Sequence, residues 1–138
     1  MIRIRRETKL LPKSDVGDFR VRRVETEPLM ILKADRRKSK YLQHEQVQLT
    51  LKNVSTKTIT YFMYGFSASC PEAIEYADAF ERPISPGRTS KLAVPHSREL
   101  ETLLNVTAQT GCKAQLGLIY VEFQDESCWQ PNVSAEMD

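Results

Sequence analysis

An all-β fold, arranged as a two-sheet antiparallel sandwich of about seven or eight short strands, is the architecture this 138-residue sequence predicts. Three observations carry it. In Glu45–Lys52, Val47, Leu49 and Leu51 alternate with Gln46, Gln48 and Thr50, which buries one face of a strand and wets the other. Strand-forming side chains recur in Ile59–Phe66 and again in Ala114–Phe123. Polar and Pro-Gly turn signals punctuate the chain, with no helical pattern long enough to cover a parallel sheet.

Residues 1–27 mix charge with isolated apolar positions and read as a basic, loosely held extension, with Phe19–Val24 as its one edge strand. The sandwich domain then spans 28–138. Leu29–Leu32 is the first core strand, and the charged residues 35–40 form the connection after it. Asn53, Ser55, Thr56 and Lys57 turn the chain, so that Glu45–Lys52 and Ile59–Phe66 read as a β-hairpin. Tyr61, Phe62, Tyr64 and Phe66 fall on both faces of the returning strand, which makes it central. Pro71–Phe80 is divided: Ala73, Ile74, Ala77 and Phe80 would also line a short helix. Pro83–Arg88 is a turn in which Gly87 supplies the freedom Pro86 lacks, and Thr89–Val94 is a strand with Leu92 and Val94 inward. Arg98–Thr107 is also divided, with helical spacing at Leu100, Leu103 and Leu104 and a strand favoured at its end. In Ala114–Phe123, Leu116, Leu118, Tyr120 and Glu122 share one face, and Gly117, Ile119, Val121 and Phe123 the other. Asp125–Ser127 turns the chain before Trp129. A closed barrel is the rival architecture.

Length and a 41% apolar composition fit one domain. No run approaches the roughly 20 apolar residues of a membrane-spanning helix. The start, Met1–Arg6, lacks the apolar centre of a secretory signal, which leaves a cytoplasmic chain or one whose signal was removed. The formal charge of +2 hides an asymmetry, with 13 Lys or Arg against 6 acids in residues 1–40 and 7 against 12 in residues 41–138. A basic arm of this kind attracts nucleic acid or anionic lipid. Without interleaved aromatic residues it reads instead as a solvated or self-docked arm, and nucleic acid is not an expected partner.

The candidate chemistry is sparse. His44 and His96 sit in turn-like contexts with no third ligand nearby, where zinc needs three or four. Ser97 beside His96 lacks a nucleophile-elbow pattern. Glu99 with Glu101, and Asp125 with Glu126, read as surface acids. No phosphate-binding glycine loop is present. Three sequons, at Asn53, Asn105 and Asn132, read as surface turns. No cofactor is expected. If Tyr61–Phe66 pairs antiparallel with Leu116–Phe123, Cys70 and Cys112 meet at one pole and can form a disulfide in an oxidising compartment, leaving Cys128 unpaired. The alternative is three reduced cysteines packed as small hydrophobes.

Residues Val47–Ile59, Ile84–Arg88 and Leu118–Trp129 together resemble small bacterial extracytoplasmic immunoglobulin-like domains of uncharacterised function. The shared features are an Asn-containing turn after the second strand, a Pro-Gly turn before a middle strand, and a last hairpin with an Asp-Gly-Ser turn followed by Trp. Glu126 stands where that pattern has glycine. The resemblance covers roughly residues 28–130 and implies an immunoglobulin-like fold and an envelope location; it carries over no catalytic residue. The expected function is a non-catalytic structural or protein-interaction domain binding through a sheet edge or loops. The alternative is a small metal-dependent hydrolase around His44 and His96.

Overall fold

Alternating burial runs through most strands of the computed structural model, which describes residues 9–38, 45–68 and 73–131. The elements, in chain order, are β1 (Leu10–Val16), β2 (Phe19–Val24), β3 (Leu29–Lys38), β4 (Glu45–Asn53), β5 (Ile59–Ala68), β6 (Ile74–Ile84), β7 (Thr89–Ala93), α1 (Arg98–Thr110), β8 (Ala114–Phe123) and β9 (Cys128–Trp129). They form an all-β sandwich. The larger sheet runs β1-β2-β8-β5-β6, with β9 against β8, and the smaller runs β3-β4-β7. Pairing is antiparallel except between β2 and β8.

Strand β4 follows its sequence pattern, with Val47, Leu49 and Leu51 buried and the residues between them half-buried. Its partner differs from the expected hairpin. β4 belongs to the smaller sheet and β5 to the larger, so the turn between them crosses the sandwich. Asn53 makes this corner. Fully buried, it donates from Nδ2 to the carbonyls of Lys57 and Ile84 (2.8 Å each), and its Oδ1 accepts from Ser55 N at 2.9 Å. Its backbone is held by the next turn, through Asn53 N to Arg88 O (3.0 Å) and Gly87 N to Asn53 O (2.8 Å). Alternation dictates which face of a strand is buried but not which strand lies beside it, and a polar corner satisfied in this way directs β5 to the opposite sheet.

The segment between the sheets' first strands also departs from expectation. β3 does not stop at Leu32: that side chain faces outward, and a bulge between Ile31 and Lys33 shifts the parity so that Ala34 is inward and the strand continues, with Asp35 opposite Gln48 and Lys38 opposite Glu45. Phe19–Val24 is a strand, as expected, but an interior one. It lies between β1 and β8, with Phe19, Val21 and Val24 buried, so residues 10–24 belong to the larger sheet rather than to a loose arm.

Pro71–Phe80 resolves from Ile74 onward into β6, with Ile74, Tyr76, Asp78 and Phe80 half-buried on one face. β5 is central, between β6 and β8, and β8 runs antiparallel to it as the sequence implied. A bulge opposite Met63–Tyr64 interrupts β8, so its inward positions are Leu116, Leu118 and then Val121 instead of one unbroken parity. Arg98–Thr107 is helical throughout. Ser97 caps α1 by accepting from Leu100 N (3.1 Å), Glu99 and Glu101 sit in the positive first turn, and Gly111 ends it at φ 74°. Strand-favouring Thr102, Thr107 and Thr110 are accommodated by donating their hydroxyls to carbonyls one turn back. The helix packs on β5, β6 and β8 through Leu100, Leu103 and Leu104.

Candidate functional site

The residues singled out from sequence do not assemble into one site. His44 lies outside the described residues. His96 Nε2 stands 3.2 Å from Glu101 Oε2, at the mouth of a cavity of about 110 Å³ between the start of α1 and the ends of β3 and β4. Among the described residues no three His, Cys, Asp or Glu side chains are grouped to hold a metal ion. Glu99 and Glu101 serve the helix start, while Asp125 accepts from Ser127 and pairs with Lys57 (2.9 Å), contacts that hold its carboxyl well below the usual range. Asn53, expected at the surface, is buried; Asn105 is exposed on α1, and Asn132 lies outside the described residues. Cys112 is disulfide-bonded and Cys128 carries an exposed free thiol, while Cys70 lies outside the described residues.

Sheet edges offer a better-formed feature, because an edge strand exposes a row of unpaired backbone donors and acceptors. Among the described residues the edges are the two-residue β9 and four longer strands, and three of those four are protected. β1 carries Pro12 and a bulge between Leu11 and Ser14. β3 is covered by the β1–β2 hairpin, where Asp18 N donates to Ala34 O (3.0 Å), Arg36 N donates to Asp18 Oδ2 (2.8 Å) and the Arg23 guanidinium reaches Ile31 O (3.3 Å). Gly17 permits that approach, since a Cβ there would stand 2.2 Å from Ala34 O. β7 is short, and Arg82 donates to its Lys91 O (2.6 Å) and Ser90 Oγ (3.1 Å).

The fourth edge, β6, is 11 residues long and has no strand on its outer side among the described residues. Ala79 N donates to the neighbouring Asp78 Oδ1 (2.9 Å), which places the backbone groups of 75, 77, 79 and 81 on the open side. Around this edge the side chains divide by face. Inward, Tyr76 and Phe80 are half-buried against Phe66 and Phe62, with ring centroids 5.5 and 5.3 Å apart. The Tyr76 hydroxyl donates to Asp78 Oδ2 (2.7 Å), and burial followed by that carboxylate pushes its pKa up to about 12. Outward, Glu75 and Glu81 flank the small Ala77 and Ala79, all exposed.

The outer face continues this charge and relief. Tyr61 lies between Glu81 on β6 and Glu122 on β8, and its ring meets Tyr120 edge-on at 5.9 Å. Farther along, Gly65 and Gly117 face each other across β5 and β8, flooring a shallow groove of about 460 Å³ over which Arg22 lies. Arg22 donates to Leu118 O (3.0 Å), and a Cβ on Gly117 would meet its Nε at 3.0 Å. The sequence signal for β6 was the shared parity of Ile74, Tyr76 and Phe80, which helical spacing at Ala73, Ile74 and Ala77 masked.

Comparison with family models, curated proteins and solved structures finds no match to this chain.

Proposed function

We propose that this chain is a non-catalytic protein-interaction domain that takes an extended segment of a partner protein onto the open edge of β6. The observation that carries the reading is the contrast among the four longer edges of the described residues. β1, β3 and β7 are each obstructed along their length, whereas in β6 Pro83 and the bulge are confined to one end and, although Ala79 N is held by Asp78, the outward backbone groups at 75, 77 and 81 stand open beside half-buried aromatic rings. Adding a strand supplies main-chain hydrogen bonds for affinity and alternating side-chain contacts for specificity.

The reading extends to an immunoglobulin-like domain working outside a bacterial cytoplasm. Its support is the placing of β3, β4 and β7 in one sheet and β6, β5 and β8 in the other, which corresponds to the A-B-E and C′-C-F strands of that fold. The disulfide-bonded state of Cys112 fits an oxidising compartment.

Selection of linear peptides from an unbiased display library against the full chain, followed by hydrogen–deuterium exchange, tests the edge. Bound peptides should protect amides in 75–81, and Ala77→Pro, which removes an outward donor while leaving the β5 ladder intact, should abolish binding. Binders that protect only loops, or that tolerate Ala77→Pro, would refute it.

A further inference from the structure

Building on the proposed β6 edge, we infer that the strand it takes is a basic one, carrying Lys or Arg at two positions six residues apart on one face with bulky apolar side chains between them. The spacing comes from the outward face of β6. Glu75 and Glu81 stand at its ends with Ala77 and Ala79 between, so an added strand meets carboxylates at its first and seventh positions and open space at its third and fifth. Opposite charges directly across two strands attract and like charges repel.

A second observation sharpens the Glu81 end. In the row Glu81–Tyr61–Glu122 an aromatic ring lies between two carboxylates, and these residues line a hollow together with Glu126. Arg82, the cation closest in sequence, also lines this hollow, but its guanidinium is engaged by Ser90 Oγ and Lys91 O. A cation of the partner opposite Glu81 would meet that carboxylate directly, with the Tyr61 ring one strand and Glu122 two strands farther in adding to the negative field at this end.

A second copy of this chain is a poor occupant in the central register. Two β6 strands pairing antiparallel about Asp78 would set Asp78 against itself and Glu75 against Glu81.

The test uses the full chain and two soluble peptides with the cores Lys-Thr-Val-Thr-Val-Thr-Lys and Glu-Thr-Val-Thr-Val-Thr-Glu. Affinity is measured by fluorescence anisotropy, and exchange protection is read at the β6 amides. The Lys peptide should bind at least about 10-fold more tightly, from two favourable and two removed unfavourable cross-strand pairs. The preference should shrink at high salt and reverse in the Glu75→Lys/Glu81→Lys variant. Equal binding of both peptides, with β6 protected, would overturn the basic partner while leaving the edge in place. If neither peptide protects β6 where a library-selected sequence does, the pattern alone would be overturned. Protection of β6 in the free protein would overturn the inference in favour of a second copy if it rises with concentration, and of the chain's own residues if it does not.

Discussion

Glu27, in the link between β2 and β3, is the group through which pH should act on this fold. Its backbone N–H donates to Val24 O at 3.1 Å, and its half-buried side chain faces the guanidiniums of Arg23 and Arg22. Desolvation outweighs both cations and raises the carboxyl from 4.5 to about 7. Nearby, the buried Tyr64 hydroxyl has no partner among the described residues, and its pKa is raised by burial and then by Glu27. Between pH 4.5 and about 7 the folded chain holds a proton that the unfolded chain has released, so stability declines as pH rises through this window and levels off above it. The full shift corresponds to ~3 kcal/mol, which solvent contact of a half-buried side chain reduces to about 1–2 kcal/mol. Glu27→Gln keeps the shape of the protonated acid and removes the titration. Urea unfolding should find it more stable than the parent by about 1–2 kcal/mol at pH 8 and nearly equal at pH 4.5, where other titrating groups cancel in the comparison. A gap between the two proteins that is the same at both pH values would refute the reasoning.

Arg36 joins β3, β4 and α1, with its guanidinium bidentate on Glu45 (2.6 and 3.0 Å) and donating to Thr107 Oγ1 (3.1 Å) and Leu104 O (2.9 Å). Arg36→Met should cost about 2–3 kcal/mol in urea unfolding, and Arg36→Lys should recover less than half of that because an ammonium cannot reproduce the planar fork. Glu126 holds φ 71°, so Glu126→Gly should stabilise the chain by about 0.5–1 kcal/mol, seen as a higher melting temperature. Of the three cysteines Cys112 is disulfide-bonded and Cys128 is free, which leaves Cys70 as the partner. Non-reducing peptide mapping should therefore recover a Cys70–Cys112 peptide with Cys128 alkylated, and reduction should lower stability by about 4 kcal/mol in the chain-entropy estimate. A Cys112–Cys128 link would reject that pairing.

Much of the framework is legible in residue order because burial follows alternation. Val47, Leu49 and Leu51 announce β4, Leu92 and Val94 announce the inward face at β7, and the β5–β8 pairing follows from two long strand-forming runs. What escaped depends on events between distant residues. The Asn53 corner needs the carbonyls of Lys57 and Ile84, 31 positions away in the second case, before its polarity makes sense inside the protein. The bulges at Leu32 and in β8 change parity without changing composition. α1 hides behind threonines whose hydroxyls return to the helix backbone. The β6 edge becomes visible only once the protection of the other three is known, because an edge is a property of the sheet and not of the strand.

The parallel pairing of β2 with β8 has a consequence for how the protein is made. Phe19 lies beside Ala114, so β2 leaves the ribosome well before β8, the strand that pairs with it and helps cover its inner residues. The smaller sheet needs nothing beyond Ala93 and can assemble earlier, while Phe19 and Val21 wait until β8 has been made. Closing a loop of that length delays the final pairing, and an apolar strand left uncovered meanwhile is a target for chaperones or for mispairing. The larger sheet thus assembles after the smaller one, around a strand made before it, and folding yield should respond to changes in β8 that leave the finished fold unaltered.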